Sequence, residues 1–313
     1  MSTAPADLSG LATDPRPVLL IPVYRGGERF ERCLSSLTCA PEYFSAVVLS
    51  MNSPRESADH LLALEFQASA KLPVVVLNTG TELTSMDHSR FWANELRTQF
   101  LPETTQLMWL GHDDELDPEG LAISCPGGSW PIRESTMLLG PWKLRHESVG
   151  ELYRVPEDEQ LEVWTCFPDQ QSKPQTAIDW VCDQLLHPTY LNLTGGVFPF
   201  AGVLDIVDHR IRKQSGMRME MTLATTRGSR YITELPEPVT IVYGRADSDR
   251  ATIPAVHARA DDRQLMKWLT RYASFTPTAK VRLAATVAKL TTLRARVAIG
   301  KASLPAEDWV VRP

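Results

Sequence analysis

Residues 107–118 read Leu-Met-Trp-Leu-Gly-His-Asp-Asp-Glu-Leu-Asp-Pro. An apolar run that stops abruptly in carboxylates constrains the fold more than any other part of the chain. Leu107 to Leu110 has the length and composition of a buried strand. Asp117-Pro118 has the chemistry of a helix start, with Asp at the N-cap and Pro at the first helical position. In open α/β sheets, ligands bind just past the carboxyl ends of the strands. Two or three carboxylates at that place suit a hard cation such as Mg²⁺ or Mn²⁺, which takes oxygen ligands and bridges to phosphates. A capped, solvated turn is the alternative reading of the same residues.

The preceding residues supply the rest of such a sheet. Val18 to Val23 is apolar without alternation, as expected of a parallel strand buried on both faces. Arg25-Gly26-Gly27 lets the backbone turn sharply, and a helix follows from about Glu28 with Phe30, Cys33, Leu34 and Leu37 on one face. Ala46–Leu49 is a second strand, ending in Ser50-Met51-Asn52-Ser53, and Leu72–Leu77 a third, with helices predicted from about Glu56 to Ala70 and across Thr84–Asn94. A helix N-terminus suits phosphate. Arg90, near that start, is a candidate diphosphate contact, with a surface salt bridge as its alternative.

In this order, Pro22-Val23-Tyr24-Arg25-Gly26-Gly27, the strands at 46–49 and 72–77, and the acidic end of the fourth strand resemble family 2 glycosyltransferases of the GT-A fold. The resemblance covers roughly residues 16–245. It implies an α/β, Rossmann-type mixed sheet with flanking helices, and an inverting transfer of sugar from a nucleotide-diphosphate donor to an acceptor hydroxyl. Donor contacts would come from Pro22, Tyr24, Ser50, Asn52, Arg90, Asp113, the Gly195-Gly196 turn and Arg245. Mn²⁺ or Mg²⁺ would be held by Asp113 with help from Asp114. Glu220, the sole carboxylate between Asp208 and Glu234, would be the catalytic base. Its neighbours Met219 and Met221 would favour a raised pKa. His112 and His257 are weaker metal candidates, and Trp164 a candidate sugar platform or an ordinary packing residue.

Two departures from the family pattern leave other readings open. Ser50-Met51 stands where relatives carry an Asp pair, and Gly111 replaces the first acid of the Asp-x-Asp motif. A non-catalytic nucleotide-sugar-binding or scaffold relative would fit those losses. A sugar nucleotidyltransferase shares the sheet and metal site but would want a longer Gly-rich, basic loop than Arg25-Gly26-Gly27. The third alternative is a nucleotide-binding protein that shares only the general doubly wound fold.

The organisation read from the chain is a disordered lead-in over 1–16, a catalytic domain over 17–255 and a basic helical appendage over 260–302. The domain divides into a nucleotide-sugar half (17–125) and an acceptor half (126–255). Cys33, Cys39, Cys125, Cys166 and Cys182 are odd in number and form no Cys-x-x-Cys pair, so reduced thiols in a cytoplasmic protein are expected. The N-terminus lacks the pattern of a signal peptide. A net charge of −6 argues against general nucleic-acid binding.

Between Asp262 and Glu307 there is no acidic residue, whereas Arg263, Lys267, Arg271, Lys280, Arg282, Lys289, Arg294, Arg296 and Lys301 fall there. A helix predicted over 278–300 would place Leu283, Leu290, Leu293 and Val297 in one stripe edged by these bases. Such a face suits an anionic membrane surface on the inner side of the cell membrane, with a glycan or lipid-linked glycan as acceptor. A homo-oligomer contact through the heptad Leu283, Leu290 and Val297, or packing on the chain's own domain, are the alternatives.

Overall fold

The computed structural model describes residues 14–132, 136–146, 161–165, 174–186, 193–208, 219–226, 229–244, 265, 268–269, 275–298 and 310–312. Two sheets organise them. The larger has eight strands, in the order β3-β2-β1-β4-β10-β6-β11-β9. These are β1 (Val18–Val23), β2 (Ala46–Met51), β3 (Val74–Asn78), β4 (Gln106–Trp109), β6 (Thr136–Leu139), β9 (Gln175–Thr176), β10 (Val197–Pro199) and β11 (Tyr231–Glu234). The smaller runs β13-β8-β7-β12-β5, from β5 (Glu115–Leu116), β7 (Trp142–His146), β8 (Glu162–Thr165), β12 (Thr240–Gly244) and β13 (Val310–Arg312).

β1, β2, β3 and β4 are mutually parallel, with Val18 opposite both Ala46 and Leu107. β10 then runs antiparallel to β4, so the sheet is mixed, as the sequence predicts. The unalternating apolar run of β1 has a simple cause. Val18 and Leu20 pack into the core on one face, and Leu19, Ile21 and Val23 into the core on the other. Both faces are covered, so neither parity of the strand tolerates a polar side chain.

The helices are α1 (Glu28–Ser36), α2 (Ala40–Tyr43), α3 (Ala58–Ser69), α4 (Ser85–Arg97), α5 (Pro118–Ser124), α6 (Ala177–Leu186), α7 (Phe200–Asp208), α8 (Met219–Ala224) and α9 (Pro277–Ala298). Phe30, Cys33 and Leu34 of α1 are buried as their spacing predicts, and the adjoining Leu37 is buried with them. α3 is capped by Ser57, whose Oγ accepts from the His60 N–H at 3.2 Å. Asp117 does occupy the N-cap position of α5, but its side chain makes no capping bond. Its Oδ2 pairs with Lys143 Nζ of β7 at 2.6 Å, because β7 lies close enough to offer a full charge.

α9 lies against α6 on the larger core. Leu283 is buried, Val287 and Leu290 pack against the same cluster, and Arg282 pairs with Asp179 of α6. Lys280 and Lys289 remain exposed. Leu283 and Leu290 therefore pack on the chain's own domain, the third of the three roles the sequence leaves open for them. Among the described residues no helix is long and apolar enough to cross a membrane.

Candidate functional site

The larger sheet reverses its winding between β1 and β4, since β2 and β3 extend to one side of β1 and β4 with β10 to the other. The crevice at such a switch point is where open α/β sheets hold ligands. Two loops face each other there, Tyr24–Gly27 after β1 and Gly111–Asp114 after β4. They touch: a Cβ built on Gly26 would lie 3.4 Å from His112 Cδ2. Gly26 and Gly27 are held in place from behind, their N–H groups donating to Asp59 Oδ2 and Oδ1 at 2.8 and 2.9 Å.

The acidic loop bridges the two sheets. β4 ends in the larger sheet at Trp109, and Glu115 opens β5 in the smaller sheet, opposite Ile241 of β12. Its three acids accordingly do different things. Asp114 points inward, with its Oδ2 accepting from Thr194 Oγ1 at 2.8 Å and its Oδ1 from the Tyr243 N–H at 3.1 Å. Expected beside Asp113 at a metal, Asp114 has both carboxylate oxygens engaged in locking β4, the Gly195 turn and β12 together. Glu115 pairs with Arg32 Nε at 2.9 Å and accepts from the Tyr243 hydroxyl at 2.5 Å. Arg32 also lies 3.6 Å from the centre of the Tyr243 ring and donates to the Asp113 carbonyl at 2.9 Å. Burial, with Glu115 beside it, pushes the Tyr243 phenol well above its ordinary value. Asp113 is half-buried at the tip of the loop, and its carbonyl is fixed by Arg32.

The Gly195-Gly196 turn stands directly beside this loop. Gly195 N–H donates to Trp109 O at 2.8 Å, and Trp109 N–H donates to Gly196 O at 3.1 Å. Gly195 has φ of 81°, and a Cβ there would meet Thr240 Oγ1 at 2.9 Å. Only glycine satisfies both demands. Behind the loop the Cys33 thiol contacts Gly111 O at 3.7 Å, and burial raises its pKa far above the ordinary value, so it is a packing group and no nucleophile.

At the ends of β1 and β2, Tyr24 is exposed at the rim while Pro22 is half-buried within the strand. Ser50 and Asn52, expected to meet a ligand, are turned inward. Ser50 is fully buried, 2.8 Å from His88 Nε2 of α4, and burial pulls His88 down to about 4. Asn52 clamps the loop after β3: its Nδ2 donates to Leu83 O at 2.9 Å, and its Oδ1 accepts from Leu83 N–H at 2.7 Å. Arg90 pairs with Asp87 one turn earlier on α4 at 2.7 Å, the salt-bridge alternative. Glu220 is the second residue of α8, but its side chain lies outside the described residues, as do Arg245 and His257. Trp164 belongs to β8, its side chain likewise outside. The residues that sequence reasoning missed are Arg32, Asp59, Thr194 and Tyr243. Each acts through a partner more than 30 positions away, and no local pattern signals that.

No three metal-ligating side chains cluster among the described residues. What is present fits a cation bridged to substrate, since Mg²⁺ and Mn²⁺ sites commonly use one or two carboxylates, waters and phosphate oxygens. Asp113, half-buried in the loop after β4 with its carbonyl held by Arg32, is the candidate carboxylate for such a site.

The arrangement is that of an open α/β sheet with an acidic loop at its switch point. Among solved structures, the chain is similar to S. aureus TarS 1-349 in complex with UDP-GlcNAc, with a TM-score of 0.56 and 14% identity over 90% of this chain and 73% of that one. The complex of the same protein with UDP gives 0.53 and 14% over 90% and 72%. GalNAc-T7 with UDP, GalNAc and Mn²⁺ gives 0.51 and 10% over 94% and 59%. At these identities the likeness is one of fold, and the fold is GT-A, that of nucleotide-sugar glycosyltransferases. No protein-family model matches the chain, and no curated protein matches it by sequence.

Proposed function

We propose that the chain is an inverting glycosyltransferase that moves a sugar from a nucleotide-diphosphate donor to an acceptor hydroxyl. The observation that carries this reading is the acidic loop at the β1/β4 switch point, with Asp113 at its tip and the Gly195-Gly196 turn alongside. That the similar TarS and GalNAc-T7 structures hold UDP-GlcNAc, or UDP with GalNAc and Mn²⁺, supports it.

In this reading Asp113 would hold a divalent ion, Mn²⁺ or Mg²⁺, which when bound would supply charge neutralisation for the leaving diphosphate. Arg32 and Asp114 keep the loop from shifting, through the Asp113 carbonyl and through Thr194 and Tyr243. Tyr24 and the Gly26-Gly27 backbone line the donor side. The acceptor oxygen attacks the anomeric carbon as the bond to the diphosphate breaks, and Glu220 takes the acceptor proton. The acceptor is a glycan or lipid-linked glycan, as in cell-surface glycan assembly. With Leu283 and Leu290 turned inward, contact with an anionic membrane would be electrostatic, through Lys280, Lys289 and their neighbours, and therefore weakened by salt.

The test is binding and turnover of UDP-, dTDP- and GDP-linked sugars by wild type, Asp113→Ala and Glu220→Ala, with and without Mn²⁺ or Mg²⁺. One donor should bind only with metal. Asp113→Ala should abolish that binding, and Glu220→Ala should bind donor yet release no nucleotide. Failure of every nucleotide to bind with any metal would end the enzyme reading in favour of a scaffold role.

A further inference from the structure

One residue at the crevice rim is strained. Arg25 has φ of 51°, the left-handed region, and is the sole non-glycine residue with positive φ among those described. Such backbone costs energy at a residue bearing a Cβ and collects at functional sites. Its side chain is turned back over the Tyr24 ring, 5.0 Å from the centroid. There it meets Glu82 of the loop after β3, with Nη2 to Oε2 at 3.0 Å and Nε to Oε1 at 3.3 Å, while the Tyr24 hydroxyl stands 3.4 Å from the same carboxylate.

Stability does not account for the arrangement. The side chains of Arg25 and Glu82 are 69% and 44% exposed, and exposed ion pairs contribute little. Glu82 is nevertheless placed with care. The next residue, Leu83, is held at both its N–H and its carbonyl by buried Asn52 at the end of β2. The carboxylate therefore hangs over the carboxyl ends of β1, β2 and β3, beside an open aromatic face. Other acids near these strand ends are engaged elsewhere, Asp59 by the Gly26 and Gly27 amides and Asp87 by Thr84 and Arg90.

A ribose diol at the end of a parallel strand is commonly read by an acceptor carboxylate. We propose that Glu82, positioned by Asn52 and oriented by Arg25, is the group that accepts hydrogen bonds from the ribose hydroxyls of the donor nucleotide, with Tyr24 as the adjoining aromatic surface. The proposal rests on the donor-site reading above. It gives the inward-turned Asn52 a task, that of a positioning residue, although it touches no ligand.

The experiment is calorimetric titration, with Mn²⁺, of UDP and GDP and of their 2′-deoxy and 3′-deoxy analogues into wild type, Glu82→Gln and Glu56→Gln. Glu56 is an exposed acid on the neighbouring loop and serves as control. Wild type should prefer the ribonucleotide over at least one deoxy analogue by about tenfold or more, the usual penalty for losing a hydrogen bond to a charged group. Glu82→Gln should shrink that preference below about threefold by weakening the ribonucleotide alone, and Glu56→Gln should keep it. Preservation of the preference in Glu82→Gln, or its absence in wild type, overturns the assignment while leaving the donor site standing. If wild type binds no nucleotide at all, both readings fall.

Discussion

Asp113 and Asp114 are adjacent in sequence, yet Asp114 is buried and Asp113 half-exposed, and replacing each by alanine tests the separate roles proposed for them. Asp114 is 6% exposed and accepts from two buried donors, Thr194 Oγ1 and the Tyr243 N–H. Asp114→Ala removes the acceptor of both in a site that water does not reach. A buried donor deprived of its acceptor costs about 1–3 kcal/mol, so the pair should cost about 2–6 kcal/mol. For a chain of this size that corresponds to a fall in Tm of roughly 3–9 °C. Asp113 sits half-exposed at the loop tip, and the bond from Arg32 is to its backbone carbonyl and survives truncation. Asp113→Ala should therefore cost less than Asp114→Ala, about 1 kcal/mol, the centre of what single substitutions cost. The assay is thermal and urea unfolding of both variants beside nucleotide titration with Mn²⁺. Asp113→Ala should fold normally and lose nucleotide, while Asp114→Ala should lose stability first. Equal destabilisation by the two substitutions, or an Asp114→Ala variant as stable as wild type, would refute the division of labour.

Three further outcomes follow from particular contacts. Burial holds His88 at about 4, below its ordinary 6.5, so the unfolded chain takes up that proton first as pH falls. The stability owed to neutral His88 is complete above about pH 6.5 and declines towards about pH 4, by up to about 3 kcal/mol, and the slope in urea midpoints should flatten in His88→Asn. Gly195→Ala puts a Cβ at φ of 81° and 2.9 Å from Thr240 Oγ1. It should destabilise by about 1–3 kcal/mol in urea unfolding and weaken nucleotide binding through the shifted Trp109 contact. Leu283→Ala should cost about 2–4 kcal/mol, because Leu283 is 4% exposed in the core, and should leave sedimentation with anionic vesicles unchanged. Loss of vesicle binding with no loss of stability would return that leucine to a membrane face.

The strands and the acidic strand end were legible because burial on both faces leaves its mark on every consecutive residue. Val18 to Val23, Ala46 to Leu49 and Leu107 to Leu110 show it without any partner being known. Most of the smaller sheet was not legible. β7 pairs with β12 about a hundred residues further on, and β5 contributes two residues, too few to carry a period. Charged Lys143 and Arg145 interrupt the apolar pattern of β7, and only the fold brings Asp117 and Tyr243 beside them. The boundaries of α3 and α9 differ by a residue or two from those the sequence predicts, since caps such as Ser57 decide them.

Sequence by itself determined that this chain builds a parallel-stranded α/β core ending in carboxylates at one strand, because hydrophobic runs and turn residues are local properties. It also determined that the C-terminal region is basic. Which of the carboxylates faces the crevice was decided only by tertiary structure. Asp113 and Asp114 have the same side chain and are neighbours in the chain. They diverge because the loop crosses from one sheet to the other, and the crossing points Asp114 at Thr194 and Tyr243. The same holds for Ser50, Asn52 and Leu283, whose side chains could serve a ligand or a partner on composition alone. Long-range packing turned each of them inward, and the direction in which a side chain points is a property of the assembled fold.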